Sequence, residues 1–259
     1  MKNYTAKNDS KNNASYQKMR KWLLQPLGQH YIALAKEKIS MNIAKSFGYH
    51  LLIIGEPELA TCVINSPISH HVLVHYDEDS RRNIYSFCCA RQDKLPIETE
   101  SIDIVYLAHC LELDPNPHEI LREAYRVLRP EGRLIISGFN PISIFGGWCF
   151  FANLFKLSLW RARFITVFQL KDWLYLLGFS PFKTQEFFHG LPINNKHILQ
   201  KMGLLERIAC KFKLPFGAAY LIMAYKRVIA LTPIKPERQA KHYVVVEHLA
   251  ETAKYNITE

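Results

Sequence analysis

Apolar residues gather in short unbroken runs separated by stretches of helical period. Residues 102–107, Ile-Asp-Ile-Val-Tyr-Leu, and Arg133 to Ser137 read as strands covered on both faces, because neither alternates as a half-exposed strand would. Between them Ile120, Leu121, Ala124, Val127 and Leu128 fall on one face of a helix predicted from about Pro117 to Leu128. Asn116 with Glu119 fits a capping box at its start, and Pro130-Glu131-Gly132 ends it and turns the chain. Strand, helix, strand in that order makes a right-handed βαβ unit, hence a parallel sheet. Upstream, a helical pattern from Tyr16 to about Phe47 is broken in two at Pro26-Leu27-Gly28, and strands are predicted at His50–Gly55, Val72–His75 and Ile84–Cys89. Downstream come a helix (Gln169–Leu177), a strand (Pro181–Phe188), an inserted helix (Leu199–Phe212) and a last strand (Ala218–Tyr225).

Four pieces in order carry a family resemblance. They are Asp93-Lys94-Leu95-Pro96, Ser101-Ile102-Asp103-Ile104-Val105, the run Arg122 to Gly132, and Gly138-Phe139-Asn140-Pro141. Together they resemble the class I S-adenosylmethionine-dependent methyltransferases, in the small-molecule (type 11) branch, over about residues 48–230. The resemblance implies an α/β, three-layer, Rossmann-like sheet, mostly parallel, with an antiparallel last strand. It also implies S-adenosylmethionine as cofactor and methyl transfer to a small, lipophilic molecule. The chain then divides into a disordered tail (1–15), N-terminal helices (16–47), the methyltransferase-like domain (48–230) and a C-terminal extension (231–259).

The cofactor positions depart from the family pattern. The family's first strand carries an acid two residues before a Gly-x-Gly-x-Gly loop; here Ile53 stands at the acid, and the loop reads Gly55-Glu56-Pro57-Glu58-Leu59. Pro57 removes an N–H donor and Leu59 adds bulk. Glu56 or Glu58 could meet the cofactor's ammonium group; equally, Pro57 and Glu58 suit the first turn of a helix. Asp77, 22 residues beyond Gly55, stands where the family's ribose-binding acid is expected, although a solvated turn of acids explains it as well. The helix between the second and third strands is absent or cut to a turn. Arg91 to Pro96 resembles the adenine loop, with Arg91 replacing the usual aspartate and Asp93 nearer the proline.

Ala108-His109-Cys110-Leu111-Glu112 follows the fourth strand, where the family's cofactor and substrate meet. His109 fits a general base and Glu112 the group that orients it; a structural histidine fits the same letters. Further on, Ile142 to Trp160 is rich in bulky apolar residues, broken by Gly146-Gly147 and edged by Arg161 and Arg163. It fits a lid or interfacial segment, and equally a piece of core.

Composition narrows the class. The 259 residues are 49% hydrophobic and 22% charged, ordinary for a soluble domain. The polar first fifteen residues predict no signal peptide. Six cysteines without ligand spacing predict reduced thiols in a cytoplasmic protein and no metal site. The net charge of +10 is uneven: +7 over residues 1–50, −6 over 51–140 and +9 over 141–259. An acidic core with basic flanks fits peripheral contact with an anionic membrane surface, or a plain solvated surface. Nucleic acid is disfavoured as a partner because no aromatic-basic module is present, and the oligomeric state is left open. Two alternatives accompany the small-molecule methyltransferase: a binding or scaffold protein that has lost the cofactor, and an RNA methyltransferase favoured by charge alone.

Overall fold

A computed structural model describes residues 14–44, 46–77, 85–143, 145–148, 163–189 and 217–227. They belong to one compact unit, residues 1–228. The expected shortened connection between the second and third strands, the helix at 199–212, most of the 142–160 segment and the C-terminal extension lie outside the described residues.

The chain opens with helix α1 (14–23) and α2 (Pro26–Ile43), split where predicted, with Pro26 supplying the first turn of α2. Gly28 permits the sharp join, because a Cβ there would sit 2.3 Å from the carbonyl oxygen of Trp22. Then follow β1 (His50–Gly55), a 3-10 helix (Pro57–Val63), β2 (His70–His75), β3 (Ser86–Cys89) and β4 (Ile102–Ala108). A single turn α3 (Cys110–Leu113), α4 (Pro117–Val127), β5 (Leu128–Phe139), α5 (Val167–Leu176), β6 (Phe179–Phe187) and β7 (Ala219–Lys226) complete it.

The seven strands form one sheet in the order β3-β2-β1-β4-β5-β7-β6. Strands β1 to β5 pair in parallel, and β7 lies antiparallel between β5 and β6. The unbroken apolar strands are explained by cover on both faces. In β1, Leu51 and Ile53 point into one core and Leu52 and Ile54 into the other; in β7, Leu221 and Met223 oppose Ile222 and Ala224. The first core is closed by Tyr31, Ala35, Ile39 and Ile43 of α2 and by the 3-10 helix. The second is closed by Ile120, Leu121, Ala124 and Val127 of α4 and Leu170 and Leu174 of α5. This is the expected three-layer α/β fold.

Two local expectations need correction. Pro130-Glu131-Gly132 does not turn the chain out of a helix into a separate strand. It is a bulge inside β5: the register passes from Ile102↔Leu128 to Ile104↔Arg133, and Glu131 takes a left-handed φ of 61°. The capping box is also not formed. Asn116 is the N-cap but its side chain makes no cap bond, and Glu119 pairs with Arg122 instead.

Candidate active site

Strand β1 has β2 on one side and β4 on the other, so the chain leaves it in opposite directions. The carboxyl ends of such strands form the crevice of an open α/β sheet. Gly55 closes β1 with φ 123°, and a Cβ there would lie 2.2 Å from the carbonyl oxygen of Ala108. Only glycine allows β1 and β4 to end this close together. The Glu56 N–H extends that contact by donating to Ala108 at 3.2 Å, and the Glu56 side chain is buried.

His109 follows at the end of β4 in a left-handed conformation, φ 54°, unusual for a residue with a Cβ. It is buried, and each ring nitrogen has a partner. Nδ1 bonds Glu112 Oε1, and Nε2 meets the Tyr31 hydroxyl at 2.5 Å. Glu112 is held in turn by the Phe139 backbone N–H, which donates to its Oε2 at 3.1 Å. A carboxylate only accepts, so the imidazole proton sits on Nδ1 and Nε2 accepts from Tyr31. Burial pushes the Tyr31 phenol well above the usual tyrosine range, so it keeps its proton at neutral pH. The result is a buried chain of Tyr31, His109, Glu112 and a backbone N–H, joining α2 to β4 and β5. Trp22, Phe139, Phe187 and Phe188 pack around the Tyr31 ring with centroids within 5.8 Å.

The sequence placed His109 and Glu112 here; Tyr31 it treated only as a packing position of a helix. Its signal was a hydroxyl on an otherwise apolar stripe, which becomes informative only once the partner is known.

At the ends of β2 and β3 the remaining candidates separate. Asp77 is half-buried, and its backbone N–H donates to His75 Nδ1 at 3.1 Å. Arg91 and Asp93 engage each other through two hydrogen bonds, 2.9 and 2.7 Å. That pairing holds the Asp93 carboxyl below the usual range, despite partial burial. Between them Gln92 turns inward and is buried, with its Nε2 unpartnered among the described residues. His75 is buried too, and its Nε2 lacks a hydrogen bond among the described residues. Buried, unsatisfied donors beside the crevice fit a polar nucleoside. On the methionine side the fit is poorer, because Pro57 starts the 3-10 helix and Leu59 is fully buried.

Of the segment after β5, Phe145 is core, whereas Ile142 and Trp148 are 61% and 55% exposed. The described part is thus neither wholly lid nor wholly core. Among the described residues, no helix is long and apolar enough to cross a membrane.

Sheet order, the β1–β4 crevice and the antiparallel β7 define the fold of the class I S-adenosylmethionine-dependent methyltransferases, and the chain belongs to that family. The family model described as "Methyltransferase domain" matches residues 58–136. A relative in Escherichia coli, "Uncharacterized protein YafS", is 34% identical over 228 residues, 85% of this chain and 86% of that protein. Among solved structures, a methyltransferase of Thermotoga maritima, described as a possible histamine N-methyltransferase, superposes with a TM-score of 0.61 at 17% identity. It covers 80% of this chain and 94% of its own. A methyltransferase of Archaeoglobus fulgidus reaches 0.55 at 20% identity, covering 75% and 94%. Family and fold imply S-adenosylmethionine as the cofactor. The Gly55 crevice, Glu56, Asp77 and the inward donors near β2 and β3 are the residues that would hold it.

Proposed function

We propose that this protein methylates a small, apolar acceptor through a hydroxyl or an acidic carbon, with His109 as the proton acceptor. One observation carries this: the buried Tyr31–His109–Glu112 chain at the end of β4, beside the Gly55 crevice. S-adenosylmethionine supplies an electrophilic methyl group when bound. The side chains supply the other half of the reaction. As an acceptor loses its proton to the Tyr31 oxygen, Tyr31 passes its own proton to His109 Nε2. The imidazolium so formed is stabilised by Glu112, whose charge is fixed by the Phe139 N–H. The surrounding Trp22, Phe139, Phe187 and Phe188 favour an apolar acceptor and exclude water.

A second function has its own support. Pro57 and Leu59 stand in place of a glycine loop, and that favours a binding protein which keeps the fold without turnover. Calorimetric titration with S-adenosylmethionine, followed by incubation with the methyl-labelled cofactor and a lipid-soluble metabolite fraction, separates the two. Label transfer by the wild type and its loss in His109→Ala support methylation. Saturable binding of a ligand without transfer supports the second function.

A further inference from the structure

His50 and His70 open β1 and β2 at the amino-terminal edge of the sheet, the opposite end from the Gly55 crevice, and are direct partners in the parallel register. Their rings meet edge-on with centroids 5.1 Å apart, and the two Nδ1 atoms stand 2.9 Å from each other in an exposed contact. Both backbones are tied down. The N–H groups of Tyr49 and His50 donate to Asp103 Oδ2 at 2.8 and 2.9 Å, and the His70 N–H donates to the Tyr49 carbonyl at 3.2 Å. On the far side of the His70 ring, Ser86 Oγ of β3 lies 3.3 Å from Nε2. With Ser86 accepting from Nε2–H, the His70 lone pair is left on Nδ1, aimed at His50.

We infer that His50 and His70 chelate a late divalent transition ion of square-planar or tetragonal preference, Ni2+ or Cu2+, which pins β1 to β2. Ligand spacing in the sequence hides the pair, because 20 positions separate the two histidines and only the parallel register brings them together. Imidazole nitrogen suits such ions, and the gap between the two nitrogens selects the geometry. Bonds of about 2.0–2.1 Å meeting at a right angle place two nitrogens about 2.9 Å apart, the separation seen here. Tetrahedral Zn2+ needs about 3.3 Å, so the rings must open to take it. On binding, the proton that His50 Nδ1 gives to the contact moves to its own Nε2 through water, while Ser86 holds the His70 tautomer from outside the metal's ligand shell. Among the described residues no set of three His, Cys, Asp or Glu side chains gathers around an ion, so water or a small ligand fills the other positions. His50 and Gly55 stand at opposite ends of β1, roughly 16 Å apart at the rise of a strand. The ion therefore acts on the stability of the strand pair and not on methyl transfer.

The test is calorimetric titration of the untagged full chain with NiCl2, and in parallel with ZnCl2, on the wild type, His50→Gln and His70→Gln. The expected results are one Ni2+ equivalent in the wild type that binds at least tenfold more weakly in either variant, and that binds several-fold more tightly than Zn2+ does at the same site. Millimolar Ni2+ should also raise the melting temperature of the wild type relative to that of His70→Gln, since an ion that binds the native strand pair stabilises it. If His50→Gln fails to fold, His70→Gln, changed at an exposed position, decides the matter with the melting measurement. Ni2+ binding by His70→Gln within twofold of wild type, or melting temperatures that respond alike to Ni2+ in both proteins, would overturn the inference. Zn2+ bound at the site as tightly as Ni2+ would overturn the geometry on which it stands.

Discussion

Tyr31 and His109 lie 78 positions apart in the chain and 2.5 Å apart in the fold, hydroxyl to Nε2. The contact ties a helix that precedes the sheet to the turn that ends β4. Both side chains are buried, so water cannot replace the contact when either partner is removed.

Removing one partner strands the other. Tyr31→Phe keeps the ring packing and leaves Nε2 without a donor, a loss of about 1–3 kcal/mol. Glu112→Gln should cost more, since its amide can no longer accept from both His109 and the Phe139 N–H. Urea unfolding should show both midpoints lowered with unchanged slope, Glu112→Gln the lower. A Tyr31→Phe midpoint equal to wild type would show that the contact contributes nothing to stability.

Asp103 sets an acid limit on the fold. Burial acts to raise its pKa, but the His50 and Tyr49 N–H groups and Arg129 outweigh it and hold the carboxyl below the ordinary value. A carboxyl lowered by folding stabilises the native state fully above its unfolded pKa of about 3.9, and loses that contribution as pH falls through the folded value. The stability gap between wild type and Asp103→Asn should therefore be flat from neutrality down to roughly pH 5 and shrink below about pH 4. A gap that persists unchanged at pH 2.5 would refute this account.

Gly55→Ala should abolish soluble expression or collapse the melting transition. The added Cβ meets a backbone oxygen at 2.2 Å, in a conformation that side chains rarely adopt, and neither β1 nor β4 can retreat without breaking the sheet. Wild-type melting of the variant would show that the crevice is wider than described.

Thiol chemistry should follow burial. The Cys62 thiol is pushed up to about 12 and Cys110 well above the usual range, whereas Cys89 is exposed. Alkylation at pH 8 with peptide mapping should label Cys89 before Cys62 and Cys110, and those two only on unfolding. Equal rates at all three would mean that both the 3-10 helix and α3 open readily.

The central strands β1, β4 and β7 were legible because each is apolar on both faces, a pattern that local composition alone imposes. Residues 102–107 and His50–Gly55 appear as strands within a residue or two of their predicted ends. Pro130-Glu131-Gly132 misled for the opposite reason. Its residues favour a turn, but pairing with β4 on one side and β7 on the other keeps the chain extended through a bulge.

The sequence by itself determined the order of elements and the parallel sheet, because those rest on period, and its family resemblance pointed to His109 with Glu112 after the fourth strand. The tertiary structure alone decided who their partners are. Tyr31 reaches His109 and Tyr16 reaches Gln92 only because α1 and α2 fold back across the ends of strands remote from them in the chain. It also turned Arg91 and Asp93 toward each other and Gln92 inward, although all three are neighbours in the same loop. Such choices depend on which side chain can be paired once water is excluded, and that is a property of the packed crevice, not of any local stretch of residues.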